Sequence, residues 1–276
     1  MLYKSVEAER DELETAEAAH ALGIHAISYT PEQLLALDPG LQMSVSGGIH
    51  YPGDAHITPQ LFMQQMMKHL KASGVDFLKQ TEVVGIVDSY PDGCSLKLKG
   101  GERIQCKQLV VATGSWSGKL MGVSGMSLPM QDGKGYSMTL TSPKIKPSIP
   151  SILHEARVAI TPMGDDLRIS GTLEISGMDD QIYQHKVNSI LDAVPAYYPD
   201  ITIDQAGPVW YGYRPCSPDG LPYIGRWKPD SNVILATGHA MMGLSLAPVT
   251  GRIVKDLMQS GQHVLEKLNP SRFTKR

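Results

Sequence analysis

Apolar residues recur at helical spacing in several stretches of the chain, and short alternating or unbroken apolar runs lie between them. The stretch from Ser5 to Leu22 is rich in Glu and Ala and closes at Gly23, which predicts a helix with a glycine stop. Thr30-Pro31-Glu32-Gln33 offers an N-cap, a proline at the first helical position and a capping-box partner for a short helix to Leu37. Thr58-Pro59 repeats the signal, and Phe62, Met63, Met66, Met67 and Leu70 share one face of a helix ending by Gly74. A helix from about Asp180 to Ala196 carries Tyr183, Val187, Ile190, Leu191 and Val194 at similar spacing. These stripes are expected to face a core.

Strand signals are more numerous. Val83 to Val87 and Cys94 to Leu98 flank Pro91-Asp92-Gly93, the pattern of a hairpin. Leu109-Val110-Val111-Ala112 is a short continuous apolar run, expected of a strand buried on both faces. Tyr136 to Leu140, Val158 to Thr161 and Leu167 to Ile175 predict an antiparallel sheet, with Met163-Gly164-Asp165-Asp166 as one turn. Val233 to Ala236 is again short and apolar, and a helix from about Leu244 to Met258 follows. The order combines two styles: α/β layers over about 57–126 and 205–262, and an antiparallel sheet with one helix over about 127–204. The fold class is therefore α+β / α/β. No internal repeat or low-complexity linker divides it, and the proline-rich Pro143 to Pro150 reads as a loop within the second layer.

Composition narrows the function. The 276 residues carry a formal net charge of −3 with no basic block, which argues against nucleic acid as a partner. Cys94, Cys106 and Cys216 have no CxxC or metal-ligand spacing, and read as reduced, non-catalytic thiols, with no metal site. The opening MLYKSVEAERDELE has no apolar h-region, so no secretory signal is expected. The longest apolar stretch, Val233 to Thr250, is broken by Gly238, His239, Gly243 and Pro248 and reads as strand, turn and helix rather than a membrane span.

Three constellations could carry chemistry. In Val110-Val111-Ala112-Thr113-Gly114-Ser115-Trp116-Ser117-Gly118, a buried strand runs into a glycine turn where backbone can approach a ligand; any strand–turn–helix junction shares this form. In Tyr211-Gly212-Tyr213-Arg214-Pro215-Cys216-Ser217-Pro218-Asp219-Gly220-Leu221-Pro222-Tyr223-Ile224-Gly225, an arginine between tyrosines and a proline suits a carboxylate, since its planar fork makes two parallel hydrogen bonds; capping a loop or pairing with Asp219 is the structural alternative. In Ala236-Thr237-Gly238-His239-Ala240-Met241-Met242-Gly243-Leu244-Ser245, a helix start follows a strand, and its unpaired N–H groups suit an electron-rich group.

Taken together, ATGSWS, YGYRPCSPDGLPYIGR, NVILATGHAMMGLSLAPVTGRIV, GGIHYPGDAHITPQLF and the KGYS at Lys134 to Ser137 resemble the D-amino-acid dehydrogenase branch of the D-amino-acid oxidase superfamily, with glycine oxidase a close cousin. The resemblance runs from Leu2 to about Met258. It implies a partial FAD-binding layer, a truncated Rossmann-like sheet, beside an antiparallel-sheet substrate domain. The implied division is 1–56 as a joining segment, 57–126 with 205–276 as the remaining FAD-binding part, and 127–204 as the substrate-binding domain.

By the same resemblance, Arg214 holds the substrate carboxylate, and Gly238, His239, Ala240, Met241, Met242, Gly243, Leu244 and Ser245 wrap the isoalloxazine of FAD. Val83, Ala112, Thr113 and Gly114 lie at the adenine half, and Tyr136, Tyr211 and His50 line the substrate cavity. The implied reaction moves hydride from the α-carbon of a D-amino acid to flavin N5, and orientation carries most of the catalysis. A quinone or similar electron acceptor, a cytoplasmic location that includes the inner membrane face, and self-association through an exposed sheet complete the expectation. Alternatives are an oxidase of glycine, sarcosine or hydroxyproline type, and a non-catalytic binding protein. Glycine-oxidase-like members carry arginine where Met241 stands here, which favours a substrate with a side chain. The family's opening G-x-G-x-x-G turn does not occur in these residues, so the sequence is expected to be a fragment truncated at its N-terminal side that by itself binds FAD weakly or not at all and is inactive.

Overall fold

Helix starts fall where the capping residues put them in the computed structural model, which describes residues 1–203, 206–260 and 265–273. Of the segment expected over 205–276, residues 205, 261–264 and 274–276 lie outside the described residues. The chain opens with β1 (Leu2–Tyr3), α1 (Val6–Ala21), β2 (Ile27–Tyr29), α2 (Pro31–Leu37), β3 (Gly47–His50) and α3 (Pro59–Ala72). Next come β4 (Val83–Asp88), β5 (Cys94–Leu98), β6 (Arg103–Cys106), β7 (Leu109–Val111) and α4 (Ser117–Val123). Then follow β8 (Gln131–Leu140), β9 (Ser151–Leu153), β10 (Val158–Met163), β11 (Asp166–Glu174) and α5 (Gln184–Tyr197). The last elements are β12 (Trp210–Cys216), β13 (Tyr223–Arg226), β14 (Val233–Thr237) and α6 (Gly243–Ser260).

Two units share the chain. The first holds Met1–Val75, Gly135–Leu173 and Asp180–Gly212; the second holds Asp76–Lys134, Glu174–Asp179 and Tyr213–Arg276. In the first unit Ser5 caps α1 by accepting from Ala8 N, and Gly23 closes that region at φ +78°. Thr30 and Gln33 form the expected capping box of α2. Helix α5 starts at Gln184, later than the expected Asp180, because Tyr183 is still extended and acts as its N-cap.

A mixed eight-stranded sheet dominates the first unit, in the order β12-β8-β11-β10-β9-β1-β3-β2. Antiparallel pairing sets Ile160 opposite Ile169 and Thr161 opposite Arg168. Val158, Ile160, Leu167 and Ile169 point to one face, where they join Val187, Ile190 and Val194 of α5 in a buried cluster with Tyr136, Met138 and Leu140. Strand alternation turns Ala159, Thr161, Arg168 and Ser170 to the other face. Burying each large aliphatic of the cluster contributes about 1.5–3 kcal/mol.

The stripe on α3 does not behave as expected. No residue of α3 is buried, and Phe62, Met63 and Met66 are 38%, 49% and 39% exposed. The helical period is correct, but Phe62, Met63 and Met66 are left exposed and only Met67 and Leu70 are half-buried.

Glu155 ties three elements together. Its carboxylate accepts from Lys4 N, Ser5 N and Ser5 Oγ at 2.9, 2.9 and 3.0 Å, and from the Tyr197 hydroxyl. Desolvation pushes its pKa up, but the hydrogen bonds from Tyr197, Lys4 and Ser5 outweigh it and bring the pKa down from 4.5 to about 2. A depressed carboxylate pKa stabilises the fold above the unfolded value, and that stability is lost as pH falls from about 4.5 toward 2. Glu155→Gln should lower the unfolding midpoint at neutral pH and flatten its acid dependence in this window. An unchanged acid limb in thermal melts would contradict this.

The second unit contains two three-stranded sheets. One is the antiparallel ribbon β4-β5-β6; the other has the order β13-β14-β7, with β14 parallel to β7. Central β14 is fully buried at Val233, Ile234 and Leu235, whereas edge strand β7 is buried only at Val111. The continuous apolar run in β7 therefore corresponds to an edge rather than to a strand covered on both faces. Asp88 joins the ribbon to the lead-in of β14 by accepting from Ser231 Oγ, Asn232 N and Asn232 Nδ2.

Candidate functional site

The parallel pairing of β7 and β14 is in register, with Val233 opposite Leu109, Ile234 opposite Val110 and Leu235 opposite Val111. The two Ala-Thr-Gly triplets therefore leave the sheet side by side at its carboxyl end, where open α/β sheets bind ligands. Gly114 turns at φ +54° and Gly238 at φ +80°. A Cβ on Gly238 would sit 3.0 Å from Tyr223 Cδ2, whereas one on Gly114 meets nothing within 4 Å. Gly114 thus leaves open space beside its backbone.

A chain of hydroxyls locks the two turns together. Ser117 Oγ donates to Thr237 Oγ1 at 3.0 Å, and Thr237 Oγ1 donates to the Gly114 carbonyl at 3.2 Å. Ser117 has spent its only proton, so Thr113 is the donor in the 2.9 Å contact between them. Ser117 and Thr237 are buried. Both residues lie inside motifs named in the sequence, but neither is assigned a site role there; the signal that links them is the repeat of Ala-Thr-Gly at two strand ends.

Beyond Gly238 the backbone stays unusual. His239 bridges to Cys216 in antiparallel fashion, and Ala240 adopts φ +48°, a conformation costly for a side chain. A short 3-10 turn, Ala240–Met242, leads directly into α6 at Gly243. Met241, Met242 and Leu244 are 72%, 51% and 44% exposed, so this helix start presents apolar side chains at the surface. His239 Nε2 lies 2.9 Å from Thr250 Oγ1, and burial lowers the imidazole pKa, which keeps the ring neutral. Its role in the turn is to hold it against α6.

Arg214 lies on β12, two residues before Cys216, so the bridge to His239 brings the arginine strand and the glycine turn into adjacent backbone positions. The guanidinium is half-buried and its pKa is lowered by desolvation, yet an arginine stays charged at any relevant pH. The alternative pairing with Asp219 is excluded. Asp219 is held by Arg272 through two 2.8 Å hydrogen bonds, and this partner pulls its carboxyl well below the usual range. Beside Arg214, Tyr213 stacks edge-on against Trp116 at 6.4 Å, which links β12 to the turn after Gly114.

The remaining sequence candidates separate. Val83 and Thr113 line one cavity of about 570 Å³, walled also by Thr81, Trp116, Lys119 and Leu120. Ala112 and Thr113 are exposed at its strand end, and Ser245 is exposed on α6. Tyr136 lies in the hydrophobic cluster under α5, where its hydroxyl accepts from Tyr183 N at 3.5 Å. Strand alternation in β8 turns Tyr136, Met138 and Leu140 toward that core. Tyr211 packs against the same cluster and donates to Asp180 Oδ1 at 3.0 Å. His50 borders a separate cavity of about 300 Å³ in the first unit. Its Nδ1 is buried with no hydrogen-bond partner among the described residues. Cys94, Cys106 and Cys216 are free thiols, and burial raises the Cys94 pKa to about 12, so that thiol is unreactive.

These residues fit part of a dinucleotide. Two glycine turns at adjacent parallel strand ends, an open Gly114 backbone, a cavity reaching Val83 and a helix start at Gly243 match an adenine end and a polar ring edge. The pyrophosphate-binding glycine turn is not among the 276 residues.

Comparison with known proteins supplies the family. D-amino acid dehydrogenase of Bradyrhizobium diazoefficiens is 31% identical over 232 residues, covering 82% of this chain and 55% of that protein. The chain thus spans about half the length of the curated relatives it matches. Among solved structures, glycine oxidase from Geobacillus kaustophilus superposes with a TM-score of 0.89 at 25% identity, covering 99% of this chain and 74% of that one. The fold is shared with L-alpha-glycerophosphate oxidase from Mycoplasma pneumoniae, solved with FAD bound, at a TM-score of 0.82 and 18% identity over 98% of this chain and 74% of that one. Residues 1–257 match the DAO family, described as FAD dependent oxidoreductase, and with two glycine turns, an arginine strand and an apolar helix start already in place, the chain belongs to that family.

Proposed function

We propose that these residues serve the FAD-dependent oxidative deamination of a D-amino acid. The observation that carries the reading is the pairing of Cys216 with His239, which sets Arg214 two strand positions from the Gly238–Gly243 turn. Arg214 binds the α-carboxylate through two parallel N–H···O bonds and so fixes the orientation of the α-carbon. The N–H groups at the start of α6 stabilise negative charge on the group bound there. When bound, FAD supplies the two-electron acceptor for the α-carbon hydride, and water hydrolyses the resulting imine to a 2-oxo acid and ammonium. Met241, exposed and apolar, favours a substrate with a side chain over glycine or sarcosine. A quinone is the proposed electron acceptor.

The test is an absorbance spectrum of FAD-loaded protein before and after substrate, under exclusion of oxygen. A D-amino acid should bleach the flavin band, and glycine or the L-enantiomer should not. Bleaching by glycine or sarcosine alone would favour the oxidase reading. No bleaching by any amine in a protein that retains FAD would favour a binding protein.

The 276-residue chain purified by itself is expected to hold FAD about 100- to 1,000-fold more weakly than a relative with the glycine-rich turn, since several backbone donors and a helix dipole are worth about 3–4 kcal/mol. Equal affinity by fluorescence titration would refute this. Self-association of the isolated chain through its exposed sheet is also proposed, supported by β7 at the edge of the three-stranded sheet β13-β14-β7. No helix among the described residues is long and apolar enough to cross a membrane.

A further inference from the structure

Two of the cysteines face each other across the β4-β5-β6 ribbon. The β5–β6 register sets Cys94 directly opposite Cys106, so the two side chains emerge on the same face. Opposed residues of an antiparallel pair have Cα atoms about 4.5 or 5.5 Å apart, and a disulfide spans about 4.4–6.8 Å, so the backbone already suits a link. Both thiols join one hydrophobic cluster with Ile86, Leu96 and Trp227. Cys106 is also among the side chains that act on the Cys94 thiol. Gly93 draws the start of β5 against β6, because a Cβ there would lie 2.5 Å from the Cys106 carbonyl oxygen.

The two thiols are not equivalent. Cys94 is buried, its Sγ donates to Asp88 Oδ1 at 3.8 Å, and burial holds it in the protonated form. Cys106 is half-buried, so a small solute reaches its sulfur first. The pair sits where the ribbon is fastened to the lead-in of β14, since Asp88 and the Gly93 carbonyl both accept from Asn232. Cys216, on β12, supplies an internal reference. It is half-buried like Cys106, and its Sγ donates to the Arg214 carbonyl at 3.4 Å.

We propose that Cys94 and Cys106 are a reversible redox pair, which hydrogen peroxide converts to a disulfide across β5 and β6. The Cys106 sulfur attacks one peroxide oxygen: an S–O bond forms, the O–O bond breaks, and one water leaves a sulfenic acid behind. The Cys94 sulfur then attacks the Cys106 sulfur. The S–S bond forms, the S–O bond breaks, and the hydroxyl departs with the Cys94 proton as a second water. The two thiols together lose two electrons, and peroxide gains them. An external dithiol returns the pair to its reduced form by exchange. The step needs neither flavin nor an amino acid, so it stands apart from the proposed deamination.

The test treats the full 276-residue chain with a small excess of hydrogen peroxide, quenches it with catalase at intervals, and alkylates the unfolded chain with N-ethylmaleimide before tryptic mass analysis. Cys94 and Cys106 should lose label together, at least tenfold faster than Cys216, and regain it after dithiothreitol. The two peptides that carry them should be found joined, lighter than their sum by two hydrogen atoms. In Cys94→Ala the Cys106 sulfenic acid should be trapped by dimedone, with no joined peptide. If Cys94→Ala fails to fold by circular dichroism, the unmutated chain decides the question alone. Loss of label from all three cysteines at one rate, a link to Cys216 or between chains, or oxidised Cys106 beside fully alkylated Cys94 would each overturn the proposal.

Discussion

Alanine at position 214 in the FAD-loaded protein should raise KM for a D-amino acid about 30- to 1,000-fold, because truncating one partner of a half-buried charge pair costs about 2–4 kcal/mol. Flavin content should stay at the unmutated level. Arg214 lies on β12, and the hydroxyl chain from Thr113 to Gly114, which holds the turns themselves, does not include it. Lysine should recover only part of the loss, since it brings the charge without two parallel donors. The pH dependence of KM should not report Arg214, whose charge persists even though burial lowers its pKa. The measurement is steady-state kinetics with an artificial acceptor alongside a flavin-to-protein absorbance ratio. Loss of flavin at unchanged KM would assign Arg214 to the cofactor instead.

Legibility in the sequence followed the range of the forces involved. Local signals read correctly. Thr30 and Gln33 are a capping box, Gly23 and Gly238 take positive φ, and the hairpin across Pro91-Asp92-Gly93 pairs as expected. Period-2 alternation was available but not fully used. Gly135, Ser137 and Thr139 alternate with Tyr136, Met138 and Leu140, which already assigns Tyr136 to the core face of β8. On β12, Trp210, Gly212 and Arg214 share one parity and Tyr211 has the other, so the tyrosine next to the arginine motif serves packing. Tertiary facts were not legible. That α3 stays uncovered depends on what packs over it, and that Asp219 belongs to Arg272 depends on residues 53 apart in sequence. The hydroxyls of Ser117 and Thr237, separated by 120 residues, meet only because β7 and β14 pair in parallel.

Valine at position 237 should be the most damaging single change to the cofactor end of the site. It keeps the shape of threonine but removes the hydroxyl that accepts from Ser117 and donates to the Gly114 carbonyl. Ser117 Oγ is fully buried, so its hydroxyl must turn to Thr113 Oγ1 and displace the donor role of that threonine, a rearrangement costing about 1–3 kcal/mol. The Gly114 carbonyl loses its tie at the same time, and the turn with space beside its backbone is released. The expected result is a lower unfolding midpoint together with at least a tenfold loss of FAD affinity. Gly238→Ala should act through a different cause, strain at φ +80° and a 3.0 Å approach to Tyr223, and should also lower both quantities. Gly114→Ala meets no neighbouring atom, so in the absence of FAD it carries only the backbone penalty of about 1 kcal/mol at φ +54°. Its effect on FAD binding should exceed its effect on stability, because the added methyl group fills the space a ligand would need. Thermal melts with and without FAD separate these cases. If all three variants lose stability in proportion to affinity, the two turns are a structural joint and not a cofactor cradle.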